Sequence, residues 1–400
     1  MNRFRYKAID KNGQASKGVL GAKDINQAAS IIRGKELMIL TLVEEQPDPF
    51  NELMLKFQKP RLEDVSNFTR QLSTMITSGL PLVQALQILG DQSKPAMTRV
   101  IEQLTRDVEG GLSLSEAMGK ANGVFNGVYV ALVKAGESAG VLDGILKKLS
   151  DALDKQREFR NKTKGAMVYP FIILIAMVVV GAIMMVFVIP KMTDMYKDFG
   201  AELPLPTKIL MGISDFMVKL WPLLIVGGFG LFALYSRWSK TEIGSIMIEK
   251  IQFKLPIFGP LKVTIILTEF SRTMGLLSSA GISVLDALRI VADTMGSRIY
   301  SDGVIQAAVM VERGSSLAEA LSSTTEFPGI LGQMVAVGEQ TGKVDETLLK
   351  LSAFYEEESE TKVKALTTAI EPMIMVIMGL GVGFMVFAVI MPIYNLTSQF

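Results

Sequence analysis

The chain repeats itself, and the repeat runs into apolar sequence that has no place in a soluble core. Residues 69–86, TRQLSTMITSGLPLVQAL, align 202 positions later with residues 271–288, SRTMGLLSSAGISVLDAL. Arg70 meets Arg272, Gly79 meets Gly281 and Leu86 meets Leu288. GLSLSEAM (111–118) resembles GSSLAEAL (314–321) with one residue gained, and Phe125 and Phe327 restore the register. Gly136, Glu137, Gly140, Asp143 and Leu146 then meet Gly338, Glu339, Gly342, Asp345 and Leu348. The register continues through Pro170 and Pro372, Gly181 and Gly383, and Pro190 and Pro392. One register held this long is an internal duplication, in which each unit is a helical segment followed by an apolar one.

Three stretches carry no charge: residues 165–190, 220–235 and 372–400. About 20 apolar residues cross a hydrocarbon core of about 30 Å, so the outer two are long enough to span a membrane. The middle run is shorter but is flanked by Trp221, Tyr235 and Trp238, as an aromatic belt would be. Topology supports it. If both helical units lie on one side, their outgoing spans cross in the same direction, and a return crossing must lie between them. Lys155, Arg157, Arg160, Lys162 and Lys164 precede the first span, Arg237, Lys240, Lys250 and Lys254 follow the second, and Lys350, Lys362 and Lys364 precede the third. By the positive-inside rule, these flanks place residues 1–165 and 237–370 in the cytoplasm and the C-terminus on the far side.

The net charge of +1, with no basic tract interleaved with aromatics, gives no sign of nucleic-acid binding. The chain has no cysteine and no histidine, which removes disulfides, Cys/His zinc sites, haem and iron–sulfur ligation, and every Ser/His or Cys/His catalytic arrangement. The opening MNRFRYKAID is polar, without the apolar core of a secretory signal, and is expected to stay on the side where it is made.

The expected fold is a mostly α membrane protein with a small N-terminal α+β module, two homologous cytoplasmic helical bundles and three transmembrane helices. Alternating RFRYKAID, the turn signal DKNG, a returning ASKGVLGA, an amphipathic stretch from Asp24 and the β-prone LMILTLV predict a ββαβ module over 1–46. A proline-bearing linker at 47–60 leads to the first bundle, 61–165, whose punctuation predicts five or six short helices. Membrane helices are predicted at 166–190, 220–236 and 371–394. Between them lie a periplasmic loop, 191–219, a cytoplasmic connector, 237–262, and the second bundle, 263–370; a tail, 395–400, closes the chain.

No motif carries obvious chemistry. GEQTGK (338–343) is one residue short of a Walker A loop, has Val344 where a hydroxyl is needed, and has Val141 in place of its lysine in the first copy. The shared pattern is Gly-Glu-x-x-Gly-x-x-Asp. It admits a helix–turn–helix bend with the aspartate as next N-cap, a partner-contact surface, or a hard-cation site using Glu137 with Asp143 and Glu339 with Asp345. The motif glycines Gly79, Gly136, Gly140, Gly281, Gly338 and Gly342 belong to the same candidate set. Glu371, beside Pro372, sits at a membrane edge; Gly379-x-x-x-Gly383 is a close-packing helix face; Pro190 and Pro392 are expected to end or kink their helices. No catalytic residue and no cofactor are expected.

The N-terminal F-x-Y-x-A-x-D-x-x-G, the pair SGLPLVQAL and AGISVLDAL, the pair GESAGVLDGIL and GEQTGKVDETL, and the closing IEPMIMVIMGLGVGFMVFAVIMPIY together resemble the type II secretion F / type IV pilus platform family of bacterial inner-membrane proteins. The resemblance covers essentially the whole chain. It implies a non-enzymatic platform in the inner membrane, between a cytoplasmic hexameric assembly ATPase and pilin or pseudopilin subunits, with other inner-membrane assembly proteins, membrane lipid and further copies of itself as partners. Pro81 of the first copy is Ser283 in the second, a departure from strict equivalence of the bundles. The competing reading is a small transporter or channel with a duplicated architecture.

Overall fold

The computed structural model describes residues 2–9, 15–22, 24–34, 37–44, 59–121, 123–191, 205–239, 241–256 and 258–397. The expected turn at 10–13 and most of the linker lie outside them.

The N-terminal module is a three-stranded antiparallel sheet in the order β2-β1-β3, with β1 Asn2–Ile9, β2 Ala15–Ala22 and β3 Met38–Glu44. Helix α1 (Ile25–Gly34) lies between β2 and β3 in the chain. Asp24 caps α1 by accepting from Gln27 N at 2.7 Å, as the sequence predicts. Phe4, Ala22 and Ala28 form a small core against Leu42, and the β1–β3 register shifts between Lys7 and Ala8.

The first bundle comprises α2 (Leu62–Thr77), α3 (Leu82–Gln92), α4 (Pro95–Glu109), α5 (Leu114–Gly119), α6 (Gly127–Ala139) and the start of α7 (Leu142–Ile183). A 34-residue helix, α8 (Leu205–Trp238), leads to α9 (Glu242–Lys254). The second bundle repeats the first: α10 (Phe258–Ser279), α11 (Val284–Thr294), α12 (Arg298–Glu312), α13 (Leu317–Ser322), α14 (Gly329–Thr341) and the start of α15 (Val344–Thr397). Phe68, Phe125 and Tyr129 stack in the first core, with centroids 5.9 and 4.9 Å apart. Phe270 and Phe327, at the same repeat positions, lie 4.8 Å apart in the second. Burying each such ring contributes about 1.5–3 kcal/mol, so the repeated aromatics anchor both cores.

Polar contacts repeat less faithfully. Arg272 binds Glu356 at 2.5 Å where Arg70 reaches Asp154 at 3.7 Å. Asp64 at the start of α2 accepts from Arg61 N at 2.9 Å and pairs with Lys94 at 2.9 Å. Burial pushes its carboxyl up, but these partners outweigh it and hold it below the ordinary 3.8. Pro81 and Ser283 both occupy helix N-cap positions; Ser283 Oγ accepts from Asp286 N, and Pro81 has no side chain to do so.

Three boundaries differ from the sequence reading. Helix α8 begins at Leu205, so the segment expected as loop up to 219 is helical in its second half; Lys208, Asp215 and Lys219 do not interrupt it. The connector 237–262 holds α9 and the first turn of α10. Pro392 does not end its helix, which continues to Thr397, whereas Pro190 follows a π-helical turn at Met184–Val188 in a helix described as far as Lys191.

Among the described residues, two helices are long and apolar enough to cross a membrane, 142–191 and 344–384, and their apolar windows are almost wholly exposed. The α9–α10 pair is also apolar, but it bends by 112° and α10 is buried in the second core. The middle predicted span falls on α8, where Leu223 is 66% exposed.

Candidate functional site: the repeated glycine–glutamate turn

Both copies of the motif form the same bend. Helices α6 and α14 end on Gly140 and Gly342, left-handed at φ 70° and 67°. Val141 N donates to Gly136 O at 2.9 Å, and Lys343 N to Gly338 O at 2.8 Å, which satisfies carbonyls that the helix end would leave free. The motif's first glycine serves a different need. A Cβ on Gly136 would stand 2.9 Å from Ile145 Cγ1 and 3.3 Å from Leu142 Cα; one on Gly338 would stand 3.0 Å from Val344 Cα. Only glycine lets the outgoing long helix pass this close. Gly79 and Gly281 do the equivalent turning job after α2 and α10, at φ 83° and 76°.

The glutamate is a clamp. Glu137 accepts from Leu114 N at 2.5 Å and Ser115 N at 2.9 Å, one bond to each carboxylate oxygen. Glu339 accepts from Leu317 N at 2.7 Å and Ala318 N at 3.2 Å. These are the first N–H groups of α5 and α13, which like those of any α-helix have no acceptor within the helix. Ser113 and Ser316 take the next donor, Glu116 N and Glu319 N. A carboxylate at a helix N-terminus is also favoured by the helix dipole. The bend is thereby tied to a helix more than twenty residues earlier in the chain, a pairing that the sequence spacing does not announce.

Asp143 and Asp345 stand one residue inside α7 and α15 rather than at the N-cap; the N-cap of α7 is Val141, which makes no side-chain cap. Their role is the charge they add to the first turn. Among the described residues no cluster of three or more acidic groups could hold a metal ion, and both oxygens of Glu137 and Glu339 are engaged by backbone.

The first-copy bend also faces the second bundle. Lys148 Nζ donates to Ser279 O at 3.1 Å and to Ser279 Oγ at 3.2 Å, and further along α7 Lys162 pairs with Glu360 of α15 at 2.9 Å. The membrane-side landmarks make few contacts within the chain. Pro170 is buried inside α7, Glu371 and Pro372 are exposed on α15, and a Cβ on Gly181, Gly379 or Gly383 would meet nothing within 4 Å. Among the described residues, none packs against the Gly379–Gly383 face.

The repeat has a counterpart among known families. The family model described as Type II secretion system (T2SS), protein F matches twice, over residues 68–190 and 270–392, and that for the protein F N-terminal domain matches residues 1–43. This chain belongs to the type II secretion protein F family. The two matched segments stand in the same 202-residue register as the internal duplication, and each joins one bundle to one apolar helix. This protein F family member is similar to the type IV pilus assembly protein PilC of Thermus thermophilus, 35% identical over 98% of each chain. It is similar to the type IV pilus assembly protein TapC of Aeromonas hydrophila, 33% identical over 98% of this chain and 95% of that one. It is also similar to the type II secretion system protein F of Vibrio cholerae, 29% identical over 100% of this chain and 99% of that one. These relatives are named for assembly and secretion machines, and the chain is a membrane protein of that machinery.

Proposed function

We propose that this protein is the inner-membrane platform of a type IV pilus or type II secretion machine, and that it couples a cytoplasmic assembly ATPase to the insertion of pilin or pseudopilin subunits into a filament. The observation that carries this reading is the pair of unbroken helices, α7 and α15, each starting in a packed bundle at the glycine–glutamate bend and ending in an exposed apolar segment. A bundle displaced on the cytoplasmic side moves its membrane segment with it, because no loop intervenes to absorb the motion. The basic flanks support an N-terminus in the cytoplasm and a C-terminus in the periplasm. The exposed Gly379–Gly383 face supports assembly with further membrane helices, including those of other copies. Chemistry within the protein has no part in this role; the work is mechanical and the energy comes from the partner.

The test is removal of residues 1–46, with binding to the cognate ATPase and filament or secretion output both measured. Loss of ATPase binding with retained membrane insertion supports the role of the N-terminal module. Unchanged binding and output would remove that module from the coupling.

A further inference from the structure

Helix α9 is fastened to the second bundle on one side and bare on the other. Glu249 is buried and accepts from Ser297 Oγ at 3.2 Å and from Arg298 N and Ile299 N at 3.2 and 3.3 Å, which ties α9 to the start of α12. Phe253 meets Tyr300 of α12 edge-on, with centroids 5.9 Å apart, and Lys262 of α10 stands 5.0 Å over the Phe253 ring. Both ends are equally close-fitted: a Cβ on Gly244 would collide with Trp238 O, and one on Gly259 with Phe253 O. On the side away from Glu249, Ile243, Met247 and Ile251 recur every four residues and are 78%, 52% and 53% exposed. Lys254 is exposed on the same face and Lys250 at its edge.

The neighbours of α9 set its level. Its first end hangs directly from α8: Thr241 N donates to Trp238 O at 3.0 Å, so the joint is one tight turn below an exposed apolar run. Trp238 itself is exposed at that joint, where an aromatic ring suits the headgroup layer. Its second end passes into α10 through a bend of 112°. Helix α10 runs antiparallel to α15, because Thr264 accepts from Lys362 Nζ at 2.6 Å while a Cβ on Gly275 would stand 2.9 Å from Leu349 Cγ. The start of α10 is therefore its end nearest the apolar segment of α15. Lys362 lies about 15 Å short of the uncharged run that begins at Pro372, and Phe258 stands further towards that run than Thr264. With α10 following α15 along the membrane normal, the bend leaves α9 about 20° from the membrane plane. Glu249 faces the bundle, so the apolar face opposite it is turned to the membrane.

We propose that α9 is an interfacial helix, with Ile243, Met247 and Ile251 inserted among the headgroups of the cytoplasmic leaflet and Lys250 and Lys254 on anionic lipid phosphates. This rests on the reading above that α8 and α15 cross the membrane and that the bundles are cytoplasmic. The apolar face of such a helix sinks about 5–10 Å into the boundary of headgroups and acyl chains, and lysine stems reach back from it to the phosphates. Exposed Arg237 at the end of α8 adds to the same basic surface. The second bundle then stands on the leaflet through α9, with Glu249 as the fastening between them.

The protein has no native cysteine, so one introduced cysteine carries one spin label. Full-length Met247→Cys, Leu380→Cys and Val337→Cys, each labelled, are reconstituted into vesicles of phosphatidylcholine and phosphatidylglycerol. Collision rates with oxygen and with a water-soluble nickel chelate on both sides of the membrane are then measured. Leu380, exposed on the apolar part of α15, should favour oxygen, and Val337, exposed on α14 in the bundle, should favour nickel. The oxygen-to-nickel ratio at 247 is expected to be at least threefold above that at 337, and to fall at least twofold when Lys250→Glu and Lys254→Glu are added. A ratio at 247 equal to that at 337, with lipid reported at 380, overturns the inference and leaves the spans standing. A water-like ratio at 380 overturns the spans and the inference together. Shielding of 247 from both probes puts protein on the face, a second copy included, and overturns it as well. No response to the two glutamates overturns the contact with anionic lipid.

Discussion

Replacing Glu137 by alanine removes two hydrogen bonds at once and leaves Leu114 N and Ser115 N at 2.5 and 2.9 Å without their acceptor. Bonds to a charged acceptor contribute about 1.5–3 kcal/mol each. The site is half-buried, and water can reach part of what is lost, so about 3 kcal/mol for the pair is the reasoned figure. Because about 1.4 kcal/mol is a factor of ten, opening of the α5 N-terminus becomes about a hundredfold more frequent. The loss is local to the α5–α6 unit before it is global, as cooperative units open separately. Hydrogen exchange by mass spectrometry on the full-length protein in detergent reads it out: a peptide covering 112–120 should lose about two decades of protection, while one in the second bundle should not change. Glu137→Gln keeps one acceptor oxygen and should lose about half as much in free energy. Unchanged exchange at 112–120 in Glu137→Ala, together with lost function, would refute the clamp and assign Glu137 to a partner surface.

Gly338→Ala places a methyl 3.0 Å from Val344 Cα and should lower the melting temperature, at about 1–3 kcal/mol of overpacking, whereas Gly144→Ala meets nothing within 4 Å and should not. Asp64 is held below its ordinary 3.8, so its pairing stabilises the first bundle above that pH and is lost as pH falls through the folded value. A pH titration of thermal stability in Asp64→Asn should therefore lack part of the acid-side decline seen in the parent, and an identical decline counts against the pairing. Ser214→Ala orphans Met185 O and should weaken the contact between α8 and the π turn, at about 1–3 kcal/mol; a disulfide between cysteines placed near 185 and 214 should form more slowly.

The duplication, the helical bundles and the outer spans were legible because they rest on periodicity and on runs of uncharged residues, both local properties. The ββαβ order was legible for the same reason. Glu137 was visible as a repeated residue, but its partners Leu114 and Ser115 are backbone donors, and backbone donors leave no mark in a sequence. Asp143 was expected as an N-cap and lies two positions past it, because the left-handed glycine already ends the previous helix and lets the next begin at Leu142. The boundary of α8 was misread because charge density was taken as a sign of loop, when an acid and a lysine one turn apart are as compatible with helix as with coil. Arg70 and Arg272 were matched as residues, yet their acidic partners Asp154 and Glu356 share the 202-residue spacing and were recoverable from it.

Helix α15 is 54 residues long, about 81 Å of continuous rod. Treated as a lever pivoting at its bundle end, it converts a rotation of about 5° into a sweep of about 7 Å at the far end, more than the 5.4 Å pitch of one helical turn. Helix α7 begins from the same bend but reaches its far end through a widened turn fastened to α8. The duplicated arms are thus unequal as machine parts: α15 lies against α8 without a break in its own rod, whereas the first arm is pinned to that neighbour at its widened turn by Ser214.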